Sequence, residues 1–170
     1  MRYVIVLIFA ICISCTDSKK NSPGITIIPQ PDSIIESRGF FKLDNKATIY
    51  CSAGLNSGVI NVFSDEVKDY VSLKQGLKEE SDIDVNIEPG KKTEAYSLKV
   101  FKDKILISAS TLNGAFNGLQ SLRQLIIFSE KVNKRLLIPC CEIDDAPRYG
   151  WRGIMLDESR HFFGEEKVKQ

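Results

Sequence analysis

The sequence predicts an α+β domain, a mostly antiparallel sheet with two helices on one face, followed by the first β/α unit of a barrel-type domain. Three observations carry this reading. Period-2 apolar runs cluster in the middle of the chain, two segments switch to helical periodicity, and the texture changes after Pro147.

Taken in order, Ile25 to Ile28 is a short β-rich run closed by Pro29 and Pro31, and Thr48 to Cys51 is another, closed by Gly54. From Gly58 the period changes. Val59, Val62, Phe63, Val67, Tyr70 and Val71 fall on one helical face, with Asp65, Glu66, Lys68 and Asp69 opposite, the pattern of a helix covering a sheet. Alternation returns with Ile83, Val85 and Ile87, then Tyr96, Leu98 and Val100. Ile105, Ile107 and Ala109 follow the tight Lys102-Asp103 connection of a hairpin. Asp82, Asp84, Asn86 and Lys99 place the other face of this sheet in solvent. A second helix spans about Leu112 to Phe128, with Leu112, Ala115, Phe116, Leu119, Leu122 and Ile126 as its stripe. Gly114 and Gly118 are spaced for close approach to the sheet, while Gln120, Arg123 and Gln124 argue against a membrane setting. A last strand, about Arg135 to Ile143, ends at the junction Asp144-Asp145-Ala146-Pro147. Beyond it, Trp151 to Asp157 reads as a strand and Gly164 to Lys169 as the first turns of a helix, the way a repeated β/α barrel begins. A lone βα unit cannot bury its faces, so a longer parent protein is expected.

Charge and cysteine usage narrow the function. With 23 Lys+Arg against 22 Asp+Glu the net charge is +1, and no basic run offers a nucleic-acid surface. At the N-terminus, Arg2 precedes an apolar run from Tyr3 to Ile13, too short for a comfortable membrane span but of signal-peptide length. It ends at Ser14-Cys15, which resembles a bacterial lipobox in which Cys15 becomes the lipidated first residue, although Cys12 stands where Leu is usual. Residues 1–15 are therefore expected to be a lipoprotein-type signal and 16–24 a polar tether. The α+β domain is expected over 25–145 and the start of the barrel over 146–170. The expected location is a bacterial envelope, with the membrane reached through a lipid anchor. Cys51, Cys140 and Cys141 fit buried thiols better than a disulfide framework, and no zinc spacing or nucleotide loop appears, so no metal or cofactor is expected.

The run from Asp145 to Phe163, Asp-Ala-Pro-Arg-Tyr-Gly-Trp-Arg-Gly-Ile-Met-Leu-Asp-Glu-Ser-Arg-His-Phe-Phe, resembles the beginning of the catalytic barrel of glycoside hydrolase family 20. Ile28-Pro-Gln-Pro31, Tyr96 to Val100 and Gly114 to Leu125 resemble its accessory domain. The resemblance implies a β-N-acetylhexosaminidase acting on terminal N-acetylglucosamine or N-acetylgalactosamine by a retaining, substrate-assisted mechanism. It also implies that Arg160 binds sugar hydroxyls, since a guanidinium places several donors rigidly. Asp157 and His161 are possible supports for it, and Trp151 and Arg152 are expected at the domain interface. Asp157-Glu158 is not the family's catalytic pair, which lies on a later strand, so no catalytic residue is assigned within the chain and the fragment is expected to be inactive. Two other readings are a different glycosidase sharing the accessory domain and a non-catalytic surface lipoprotein that binds glycans or partners.

Overall fold

The computed structural model describes residues 24–52, 58–88, 90, 92–153, 155 and 164–169. The chain forms β1 (Ser33–Leu43), β2 (Lys46–Cys51), α1 (Gly58–Glu66), β3 (Ser72–Gln75), β4 (Ile83–Ile87), β5 (Tyr96–Val100) and β6 (Ile105–Ala109). Then follow α2 (Leu112–Ile127), β7 (Glu130–Val132), β8 (Arg135–Asp145) and the short α3 (Glu165–Val168). One sheet runs in the order β1-β8-β5-β6-β4-β2-β3, with β7 beside β8. Pairing is antiparallel at β1–β8, β8–β5, β5–β6 and β7–β8, and parallel where β2 meets β3 and β4 and where β4 meets β6. The expected α+β class holds. Its parallel half comes from α1, which carries the chain from β2 across to β3.

β1 and β2 are joined only by Asp44 and Asn45, although four strands separate them in the sheet. Five strand spacings amount to about 24 Å, whereas the three steps from Leu43 to Lys46 span at most about 11 Å. The β1–β8 ribbon must therefore bend back over the core. The bend sits at a bulge. Glu36 lies opposite Cys141, but Phe40 lies opposite Pro139. Gly39 occupies that bulge at φ 113°, a backbone region open to glycine, and a Cβ there would lie 2.6 Å from Lys102 Cε. On either side of it the buried positions change parity. Cys141 and Ile143 are buried beside Val100 and Leu98, while beyond the bulge Leu136 and Ile138 are buried beside Leu43 and Phe41. An ion pair of 2.7 Å between Arg135 Nε and Asp44 Oδ1 ties the far end of the ribbon.

The core lies between sheet and helices. α2 buries Leu119, Leu122, Leu125 and Ile126 over Ile107 and Leu98, and α1 adds Ile60 and Phe63. Thr111 caps α2 by accepting the Gly114 N–H at 3.2 Å. The spacing of Gly114 and Gly118 serves close approach, as expected. A Cβ on Gly114 would meet Ala95 O at 2.5 Å, and one on Gly118 would meet Ile107 Cγ2 at 2.9 Å. Gln120 Nε2 donates to Glu66 Oε2 at 2.7 Å, holding α1 and α2 side by side.

Two expectations need correction. Ile25 to Ile28 form no strand; they lie in an arm whose Ile27 is buried and whose Ile28 is held by α2. The second face of the sheet is not wholly solvated. Asp84 is only 3% exposed, covered by the side chains that bond it. Ser81 Oγ bonds Asp84, and Lys104 Nζ reaches its carboxylate at 3.0 Å while also donating to Lys78 O. Of the expected barrel strand, Trp151 to Gly153 and Met155 pair with no strand among the described residues, and Ile154 and residues 156–157 lie outside that set.

Candidate functional site

The expected sugar-binding residue Arg160, its possible supports Asp157 and His161, the decoy Glu158 and the lipidation candidate Cys15 all lie outside the described residues. What the structure does describe is the corner from which that motif departs. There the arm 24–32, the outer side of α2, the ends of β5 and β8 and the junction 146–152 enclose a cavity of about 540 Å³.

Polar side chains line this cavity, and most of them make hydrogen bonds within the domain. Gln124 clamps the arm with both ends of its amide: Oε1 accepts the Ile28 N–H and Nε2 donates to Ile28 O, each at 2.9 Å. The arm thus satisfies its backbone on a helix side chain instead of a strand. Tyr96, opposite Asp145 in the β5–β8 pairing, has its hydroxyl 2.6 Å from Ser121 Oγ. Burial, reinforced by the nearby carboxylates of Asp145 and Asp144 and opposed by the Ser121 bond, pushes its pKa up to about 12. Tyr96 is therefore a proton-bearing donor at neutral pH and not a general base. Asp145 Oδ1 in turn accepts the Asp32 N–H at 3.3 Å.

The junction is held from the other side. Arg152 donates through Nη1 to Tyr149 O at 2.6 Å, closing its own turn, and through Nη2 to Glu94 Oε2 at 2.9 Å. Glu94 has φ 67°, and its carbonyl accepts from Asn117 Nδ2 at 3.1 Å. Trp151 and Arg152 were both expected at a domain interface. The structure engages Arg152 with the α+β domain and leaves Trp151 87% exposed. Glu94 carried no signal in the sequence, because its contact with Arg152 spans 58 residues and fits no local period.

The thiols play no part in this corner. Cys51, Cys140 and Cys141 are all buried, and Cys141, its pKa pushed up to about 12 by burial, is inert as a nucleophile at neutral pH. Among the described residues no cluster of three or more His, Cys, Asp or Glu could hold a metal ion, and no helix is long and apolar enough to cross a membrane.

Among the described residues the corner offers no nucleophile–base pair, and it is built where an α+β domain hands over to the junction 146–153. Comparison with known proteins identifies the domain. The profile of glycosyl hydrolase family 20, domain 2, matches residues 24–146, and the chain belongs to that family. It is 34% identical over 158 residues to a β-hexosaminidase of Porphyromonas gingivalis, a match covering 86% of this chain and 20% of that protein. Among solved structures, a Vibrio harveyi family-20 exo-β-N-acetylglucosaminidase in complex with N-acetylglucosamine superposes with a TM-score of 0.74 at 28% identity. That match covers 84% of this chain and 22% of the other. A Bacteroides fragilis β-N-acetylhexosaminidase gives 0.73 at 27% identity, over 84% of this chain and 29% of its own. The chain thus spans between a fifth and a third of these relatives.

Proposed function

We propose that the chain is the amino-terminal part of an exported β-N-acetylhexosaminidase that removes terminal N-acetylglucosamine or N-acetylgalactosamine, and that it is inactive alone. The observation that carries this reading is the family-20 match over 24–146 running straight into the Trp151 to Phe163 motif. The α+β domain supports the barrel, and Arg160 donates to hydroxyls of the terminal sugar at the top of the first barrel strand. Chemistry is retaining and substrate-assisted: the acetamido oxygen of the sugar attacks its own anomeric carbon while a carboxylic acid protonates the leaving oxygen. Cys15 carries a lipid, and the polar stretch after it lets the domain stand off the membrane.

A chimera tests this directly. Residues 1–170 joined to the remaining part of the Porphyromonas gingivalis β-hexosaminidase should hydrolyse a chromogenic N-acetyl-β-glucosaminide, and the chain alone should stay at the level of a mock preparation. Arg160→Lys in the chimera should lower kcat/KM by about tenfold or more, through loss of the fork of donors. A folded but inactive chimera overturns the enzymatic reading, and turnover by the chain alone overturns its inactivity. Labelled palmitate should enter the wild type and not Cys15→Ser; equal labelling of both refutes the anchor.

A further inference from the structure

We infer that Glu94 is a latch: a positioning residue that fixes the junction run Ala146–Gly153 to the α+β domain by gripping Arg152. Four observations converge on it. The carboxylate of Glu94 accepts Arg152 Nη2 at 2.9 Å, and the same guanidinium closes the junction turn on Tyr149 O. The Glu94 backbone is held at φ 67°, a left-handed conformation that a glutamate rarely adopts. Its carbonyl takes a hydrogen bond from Asn117 on α2. Its carbonyl carbon lies where a Cβ on Gly114 would come within 3.2 Å, so the absence of a side chain at Gly114 is what lets α2 pack this closely on it.

The pieces form a chain of positions. Gly114 and Asn117 seat the Glu94 backbone on the buried helix. That backbone aims the carboxylate outward, and the carboxylate holds one arm of a planar guanidinium. The other arm of Arg152 shapes the turn that precedes Trp151. Ala146, Pro147 and Arg148 are half-buried at the corner, but beyond them Tyr149, Trp151 and Met155 are exposed, and Arg152 makes the directed contacts. A strained backbone persists only where its surroundings over-determine it, and at Glu94 those surroundings also grip the connecting segment through Arg152.

Trp151 is the only tryptophan in the chain and stands beside Arg152, so it reports on the latch by itself. In the full chain, Glu94→Gly keeps the left-handed backbone accessible and removes only the carboxylate. It should enlarge the fast component of Trp151 fluorescence depolarisation and speed tryptic cleavage after Arg148 by about tenfold, with the melting midpoint of the sheet not lowered, since glycine relieves the positive φ. Arg152→Gln, which leaves the α+β domain untouched, should do the same. The exchanged pair Glu94→Arg with Arg152→Glu should restore slow depolarisation and slow cleavage. Wild-type depolarisation and cleavage in a folded Glu94→Gly chain, or no recovery in the exchanged pair, overturns the latch. Neither readout needs turnover, so this result is independent of the activity of the chimera.

Discussion

α2 and the junction that follows β8 meet at the same corner and are held by opposite means. α2 is fixed by shape: glycines let it sit on β5 and β6, and Leu119, Leu122, Leu125 and Ile126 are buried in the core. The junction is fixed by directed polar contacts from Arg152, with Tyr149 and Trp151 left in water. Burial scales with area and is spread over many atoms, whereas each polar contact acts at one point and is weakened by competing water. The first kind of holding makes a rigid platform. The second lets the connection be oriented without adding to the core.

If that contrast is right, the largest effects belong to α2. Leu122→Ala empties a fully buried site and should cost about 2–5 kcal/mol in urea unfolding. A loss below about 1 kcal/mol would show that this core collapses easily around the gap. Gly118→Ala should cost about 1–3 kcal/mol, because the new methyl would stand 2.9 Å from Ile107 Cγ2 and 3.1 Å from the Tyr96 ring, both on buried strands. An unchanged urea midpoint for this variant would mean that α2 can lift from the sheet.

The same contrast explains what could be read from the sequence. The period-2 runs at Ile83, Tyr96 and Ile105 became β4, β5 and β6 with the expected hairpin, because local alternation and tertiary burial agree there. The helical stripes were located but slightly rotated, and α1 ends at Glu66, short of the expected Val67, Tyr70 and Val71. Val62 and Phe116 are substantially exposed, while Ile60 and Leu125 took the inward places, since the direction a helix faces is set by what it packs on. β1 was missed. Its alternation is broken at Gly39 by the bulge, most of its outer half is exposed, and only pairing with β8 makes it a strand. Asp84 looked solvent-facing because its cover comes from Ser81 and Lys104, neither of which a strand period encodes. At the junction the sequence motif named Trp151 and Arg152 as interface residues but gave no hint of Glu94, whose position depends on a backbone conformation that only the folded corner imposes.

The smallest effect sharpens the comparison most. Trp151 would be a costly loss if the junction were held as α2 is, since a buried tryptophan typically costs about 3–5 kcal/mol on truncation to alanine. At 87% exposed it has almost no burial to lose, so Trp151→Ala should move the unfolding free energy of the chain by less than about 0.5 kcal/mol. The neighbouring Arg152→Gln should likewise leave urea unfolding nearly unchanged, because a part-exposed ion pair contributes little to global stability. Both substitutions lie where contacts set direction, so a loss above about 1 kcal/mol in either would mean that the junction packs into the core after all.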